Sequence, residues 1–575
     1  YTYEFRKMNG TTTEADGNVY DIYKVDISNT DSNDKKVINA TNYVLGLTKA
    51  KSTTLDYTFD AVTLSDDAKA YIKNNKLEKQ ITDSKVRLIA DSAFKGSYLK
   101  SIDLSGIEYI DRNAFANCPY ITEFEIPSSV KYVGYGTFQG SGLKTLNVNC
   151  ELPVIPGYFC QKTQLTEINF SNPEMIRKIG ANSFEAAPLS EPFFNQFGEA
   201  KNYEALMIDN RAFKDCTSIK SVKMSDNIVT LAQYVFSGCT SLRELQFGKK
   251  TIYADKNSFE NCTALDTIKF NDVLEALGGG CFSGCTGLKE VKGFPDTIKD
   301  WVAYSGNTGY GFGNCMFQNC KSLVSCDLPK SITRVPESVF AGCTSLKTVY
   351  NGENITAIDK DAFNGCTNLL EAVYPEVTKI GEGAFKNCTS LITFKVGKCT
   401  TVGNNALEGC TALKAITLLA DEYGSADNSY VFKNCKNAEK ITVSLGQYTQ
   451  LPKGLFSGCE KLKTIEGDLS KISISGKETF SGCTALEKLN LPALRIIEDK
   501  AFYNCTNLKS ISDSSAIAAE DYGTSCFENC TNLKVEVTGT ISTIGASAFK
   551  KSGITKVTID GMKGGTVVIG NNAFS

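Results

Sequence analysis

The sequence contains no histidine. That removes the commonest general base and the commonest zinc ligand, so neither a Ser-His-Asp nor a Cys-His mechanism can be assembled within the chain. It also has no run of about 18 apolar residues, so no transmembrane helix is predicted. There is no excess of positive charge, with 61 Lys plus Arg against 64 Asp plus Glu, which argues against a nucleic-acid partner. Tryptophan occurs once, at Trp301. What remains is an ordinary composition, 42% hydrophobic and 22% charged over 575 residues. A compact globule of that length would need several domains, whereas a repeat array grows its core along one axis. The chain starts at Tyr1 rather than Met, so a processed form is expected, with any leader or lipid anchor outside this sequence.

Internal periodicity dominates the rest. The unit reads Ile-x-x-x-Ala-Phe-x-x-Cys-Thr-x-Leu-x-x-Ile-x-Leu, with clear copies at Ile358 to Val373, Ile380 to Val396 and Ile497 to Ile511. The aromatic of the Ala-Phe pair recurs from Phe94 to Phe574 at 21 positions, one of them taken by Leu407. Most spacings are 21 to 25 residues, with longer ones of 29 after Phe184 and 35 after Phe282. The Leu-x-x-Ile-x-Leu stretch alternates like a half-buried strand, and successive copies are expected to stack as a parallel sheet about 4.8 Å apart. A single coil cannot bury its own apolar face and relies on the coils above and below it.

These motifs resemble the BspA-type leucine-rich repeats, also called the Treponema pallidum type. The matching pieces include the Leu-x-x-Ile-x-Leu-Pro-like strand of Leu323 to Pro329 and the Ile-Gly-x-x-Ala-Phe element of Ile544 to Phe549. The resemblance runs from about Val86 to Phe574. It implies a right-handed leucine-rich-repeat solenoid with a parallel sheet on its concave face and an irregular or short-helical convex side. It also implies surface-exposed or secreted proteins, mostly regarded as adhesion or interaction proteins, with no common catalytic residues.

Residues 1–85 do not fit the unit. Asp21 to Asp26 and Thr53 to Val62 alternate enough for strands, and Ser65 is placed to cap a short helix to about Asn74. The segment is read as an amino-terminal cap, since a solenoid needs its first apolar coil covered; a separate binding module or a linker is the alternative. The solenoid itself is assigned to 86–575.

Fifteen of the 22 cysteines sit three residues after an anchor. Equivalent positions in stacked coils have parallel Cα–Cβ vectors, whereas a disulfide wants its Cβ atoms turned toward each other. A ladder of buried free thiols is therefore expected. Cys281 with Cys285 and Cys526 with Cys530 are close pairs. The first member of each stands at the small Ala position of the unit, so no metal site is assigned. The Asn-Cys-Thr sequences at Asn261, Asn387, Asn504 and Asn529 match a glycosylation acceptor, but the repeat turn also generates them. Gly309, Gly311 and Gly313 lack the strand and helix a phosphate loop requires.

Two candidate surfaces follow. One is the concave strand face, read as the exposed positions flanking the middle Ile: Glu123, Glu125, Thr267, Lys269, Thr348, Tyr350, Thr393, Lys395, Lys488 and Asn490. These are polar and mixed in charge, with no aromatic stripe, so a solvated sheet face competes with a protein-binding one. The other is the insertion at 293–316, with Trp301, Tyr304, Tyr310 and Phe312, suited to an interface or to stacking on sugars; the competing reading packs these aromatics to seal the insertion. The expected function is a cell-surface or secreted, extracellular interaction protein. It would bind extracellular-matrix or cell-surface proteins, with no enzyme activity, cofactor, nucleic acid or membrane insertion. A structural spacer and a glycan-binding module using the insertion are the alternatives.

Overall fold

The computed structural model describes residues 2–13, 19–30, 36–49, 79–80, 88–192, 205–300, 302–303, 309–562 and 566–575. It is a parallel β-solenoid of about 19 turns, with almost no helix. Each repeat makes one coil with three hydrogen-bonded sides.

The first side is the expected strand. Glu123–Ile126, Thr145–Val148 and Glu167–Phe170 run parallel in register, with Phe124, Leu146 and Ile168 side by side. Alternation places Glu123 and Glu125 outside and Phe124 and Ile126 inside.

The second side was not read from the sequence. Short strands at the Ile-Gly step form their own parallel ladder, as in Ala357–Ile358, Lys379–Ile380 and Cys399–Val402. The glycine follows from close backbone approach: a Cβ on Gly134 would lie 2.6 Å from the backbone nitrogen of Arg112 in the neighbouring coil.

The third side is the Ala-Phe turn, for which an irregular or short-helical path was expected and which is irregular. Among the described residues the single helical element is the 3₁₀ turn Pro173–Met175. Elsewhere two residues four apart take left-handed backbone around each anchor, as Asn257 and Asn261 do, both at φ 57°. Two such reversals prevent continuous helix. They also turn backbone N–H groups toward the next coil: Asp361, Phe363 and Gly365 donate to the carbonyls of Glu382, Ala384 and Lys386, each at 2.8 Å. Asn261, Asn387, Asn504 and Asn529 all stand at these left-handed positions, which Asn adopts more readily than most residues.

The chain divides into two compact units, Tyr1–Leu274 and Glu275–Ser575. In the first, the anchors stack ring on ring, with Phe94 and Phe115 centroids 5.4 Å apart and nearly parallel; the contacts of Phe159 with Phe138 and Phe184 are edge-on. In the second, the stack from Phe317 to Phe385 has centroid spacings of 5.1 to 5.9 Å. Such offset stacks suit the aromatic quadrupole. Leu407 interrupts this stack, and stacking resumes with Phe432 on Phe456 at 5.7 Å.

All 22 cysteines are free, and only Cys315 is less than buried. The thiols do more than fill space. The Sγ of Cys388 donates to the carbonyl of Phe363 at 3.2 Å, and Cys343 to Phe317 and Cys505 to Phe480 at 3.0 Å. The same carbonyls accept the N–H of the cysteine in their own coil, as Phe363 does from Cys366 at 3.0 Å. Each thiol thus occupies the second lone pair of a buried carbonyl. Cys530 joins this ladder through Phe502, while Cys526 points at Ala548.

In the amino-terminal segment, Thr2–Thr13, Val19–Thr30 and Lys36–Lys49 form an antiparallel three-stranded sheet, and the expected strand at Asp21 to Asp26 falls within the second. The strand proposed at Thr53 to Val62 and the helix from Ser65 lie outside the described residues. Among the described residues, the first parallel pairing between coils is that of Lys79–Gln80 with Ile102–Asp103.

Candidate functional site

The insertion resolves into two parts. Val302–Ala303 pairs with Gly309–Tyr310 as an antiparallel hairpin, while Trp301 and Tyr304 lie outside the described residues. For Tyr310 the backbone alone is described. Phe312 is a correction. Its side chain is fully buried, with its ring 5.5 Å from that of Phe294 and 6.4 Å from that of Phe317. Phe312-Gly313 stands where other coils carry Ile-Gly, and Phe312 bridges to Leu277 in parallel. It is a core residue of its coil and cannot anchor a ligand. The glycine run has the same origin: Gly313 lies so close to Gly279 that a Cβ would meet its backbone nitrogen at 2.5 Å.

The strand-face residues lie on the first side of their coils, in separate places. In the first unit Glu123 and Glu125 are exposed, and Glu125 accepts a hydrogen bond from Asn149 at 2.8 Å. Thr267 donates to Asp266 at 2.8 Å, and Lys269 pairs with Glu244 at 2.6 Å. The hydrogen bond from Lys269 holds the Glu244 carboxyl below its ordinary pKa. Glu125, Thr267 and Lys269 are thus engaged within their own face.

In the second unit Thr348 and Thr393 are half-buried, while Tyr350, Lys395, Lys488 and Asn490 are exposed. The coil between Thr348–Tyr350 and Thr393–Val396 contributes Glu371–Tyr374, whose Val373 lies opposite Lys395. Tyr350 is 51% and Val373 45% exposed. The column just ahead of these strands is defined by backbone bonds from Lys347 to Val324, Leu370 to Lys347 and Ile392 to Leu370, at 2.8, 3.1 and 3.0 Å. Val324, Leu370 and Ile392 are exposed in it, Ile392 by 64%.

Reading only the positions that flank the middle Ile picked out Tyr350 but missed Val324, Leu370 and Ile392. It also left out Val373, which does flank the middle residue of its strand. The missed signal was available as apolar residues at positions the repeat leaves outside. Leu370 with Ile392, and Tyr350 with Val373, make a patterned apolar stripe in two neighbouring columns, crossed by Glu371, on a face that the sequence had suggested was polar. Lys488 and Asn490 lie further along, and Asn490 donates to Asp513 at 2.9 Å.

No group of three or more His, Cys, Asp or Glu among the described residues could hold a metal ion. No helix among them is long and apolar enough to cross a membrane.

Stacked parallel coils with a Phe and Cys interior and an exposed strand face define a leucine-rich-repeat solenoid. The chain matches the BspA type leucine rich repeat region over residues 67–191, 206–305, 310–426, 379–475 and 452–575, and it belongs to that family. Similar solved structures include a leucine-rich repeat protein from Bacteroides ovatus, at 21% identity and TM-score 0.42, over 70% of this chain and 87% of that one. The Treponema pallidum leucine-rich repeat protein is 24% identical over 30% of this chain and 74% of its own, with TM-score 0.26. A leucine-rich cell surface protein from Faecalibacterium prausnitzii is 18% identical over 63% and 85%, with TM-score 0.35. No curated protein matches the chain.

Proposed function

We propose that this chain is an extracellular or cell-surface interaction scaffold that holds a protein partner against the strand face of its second unit. The observation that carries this reading is the stripe of Tyr350, Val373, Leu370 and Ile392. A sheet face meant only for water exposes isolated apolar side chains, whereas contiguous ones mark interaction surfaces. Tyrosine is also among the residues that dominate interface energetics. Lys347 and Lys395 flank these residues as a polar rim, and Glu371 stands between Leu370 and Val373. The surface location rests on the family, and the absence of histidine agrees with a binding role over a catalytic one. Residues 1–85 serve in this reading as the amino-terminal cap.

The test is capture on an array of extracellular-matrix and cell-surface proteins, comparing the native chain with Tyr350→Ala and Ile392→Ser. Saturable binding weakened about tenfold or more by either substitution supports the stripe. Binding that neither changes sinks it. No protein binding, with concentration-dependent self-association instead, moves the reading to a structural spacer.

A further inference from the structure

The strand ladder of the second unit is interrupted near its carboxy-terminal end. Ala415–Thr417, Lys440–Thr442 and Thr464–Glu466 form a continuous sheet, and Ala516–Ile517, Glu536–Ile541 and Lys556–Met562 form another. Between them the coil carrying Lys488 makes a single bridge to Ser510.

The cause lies in Ser512 to Ser515, the Ser-Asp-Ser-Ser stretch. Such residues are poor strand formers and bond their own backbone instead. Ser512 donates to the carbonyl of Ser514 at 3.4 Å, and the N–H of Ala516 donates to the Ser514 hydroxyl at 3.2 Å. The segment bends out of the sheet and leaves a groove of about 560 Å³ between Lys488, Asn490, Ser510, Asp513 and Lys534. An adjoining hollow of about 380 Å³ continues it past Lys488 to Thr464 and Asp468. A second, of about 300 Å³, has Pro492 and Ala518 as its exposed apolar residues, while Leu491 and Ile511 beside it are buried in the core. These hollows are shallow and open to solvent, as suits a ligand laid along the surface.

The charges in the groove are distinctive. Neighbouring lysines are paired: Lys509 with Glu487 at 2.6 Å, Lys463 with Glu439 at 2.9 Å and Lys556 with Glu536 at 3.4 Å. Lys488 and Lys534, both exposed on the groove, have no ion pair among the described residues. Asp513 is engaged by the neutral amide of Asn490.

The backbone of the walls is already used: Leu489 and Leu491 donate to the carbonyls of Ser510 and Ile511 at 3.1 and 2.9 Å. These two amides are therefore closed to an extended peptide. What the groove does offer is serine hydroxyls, an amide beside a carboxylate, two unpaired ammonium groups and the exposed Pro492.

We propose that this groove binds an acidic glycan, an oligosaccharide carrying carboxylates. Hydroxyls and the Asn490–Asp513 pair match the mixed donor and acceptor character of sugar hydroxyls. Lys488 and Lys534 take the carboxylates, and exposed Pro492 meets the carbon face of a ring. The groove crosses several coils at a spacing of about 4.8 Å, so it fits a chain better than a single sugar. The site is separate from the apolar stripe, and either assignment stands without the other.

The test is calorimetric titration of the whole chain with short oligosaccharides of galacturonate, glucuronate and sialic acid, against a neutral galactose oligomer and a polyglutamate peptide. Saturable binding of at least one acidic oligosaccharide is expected, weakened about tenfold or more by Lys488→Ala and by Lys534→Ala and unaffected by Ile392→Ser. Both lysines are exposed, so an unchanged melting temperature shows that the variants are folded. Binding of none of the acidic oligosaccharides overturns the proposal, as does binding that neither lysine variant weakens. Equal binding of the neutral oligomer removes the role given to the lysines and also overturns it. Equal binding of polyglutamate shows attraction to charge alone, against a glycan site.

Discussion

The side-chain oxygen of Asn387 lies 2.6 Å from the point a Cβ would occupy on Gly409, one coil further on. Both residues have left-handed backbone, at φ 59° and 76°. Asn117 with Gly140 and Asn319 with Gly342 repeat the arrangement. In these three pairs the Asn before one cysteine faces a glycine before the next; Asn504 instead meets Asn529, whose amide donates to its side-chain oxygen at 2.7 Å. Replacing Gly409 with Ala adds backbone strain and a steric clash, at about 1–2 kcal/mol of stability. The clash part is expected to disappear in an Asn387→Gly background. A double-mutant cycle by denaturant unfolding reads the coupling, and strictly additive effects would contradict the pairing.

Tyr423 occupies the Ile position of its coil and uses its hydroxyl three times. It accepts from the N–H groups of Ala420 and Ser444, at 3.0 and 2.9 Å, and donates to the carbonyl of Leu418 at 2.6 Å. Tyr423→Phe keeps the ring but strands buried partners, and a loss of about 1–3 kcal/mol is expected. Urea unfolding measures it, and a neutral result would mean water replaces the hydroxyl.

The thiol ladder predicts resistance to alkylation. With 21 of the 22 cysteines buried and Cys315 half-buried, brief iodoacetamide treatment of the folded chain at neutral pH should modify Cys315 at most. Peptide mass spectrometry locates the adducts. Rapid labelling of Cys366 or Cys388 would show that the ladder opens.

The same burial sets an alkaline limit. Desolvation pushes the thiols of Cys435 and Cys483 up to about 12 from an ordinary value of 9.0. The fold holds them protonated, while the unfolded chain releases their protons once pH passes the ordinary value. Their contribution is intact below about pH 9 and is lost as pH rises toward 12. Melting temperature is expected to fall across that window. A constant melting temperature there would rule out this coupling.

Removing one anchor ring should be costly even in so long an array. Phe363 is fully buried and stacks on Phe340 and Phe385 at 5.4 and 5.1 Å. Phe363→Ala is expected to cost about 3–5 kcal/mol, read as a lowered unfolding midpoint. A loss well under that range would mean that neighbouring rings close the cavity.

The repeat by itself determines the large features. Phe anchors, strand alternation and buried cysteines follow from residue identity at one period, because stacked coils place equivalent residues in equivalent surroundings. The second strand ladder escaped notice because two residues at an Ile-Gly step carry too little alternation to read as a strand. The turn looked compatible with short helix because propensity does not reveal paired left-handed residues. Phe312 looked like an insertion aromatic because the length of its coil hid the correspondence of Phe312-Gly313 with Ile-Gly.

The candidate surfaces divide along the same line. That Tyr350 and Lys488 face outward was legible, since alternation along one strand determines it. That Tyr350 shares a stripe with Ile392, and that Lys488 faces a groove with Lys534, was decided only by tertiary structure. Coils of unequal length stack according to backbone hydrogen bonds between neighbours, and the departure of Ser512 to Ser515 from the sheet sets which side chains meet across them.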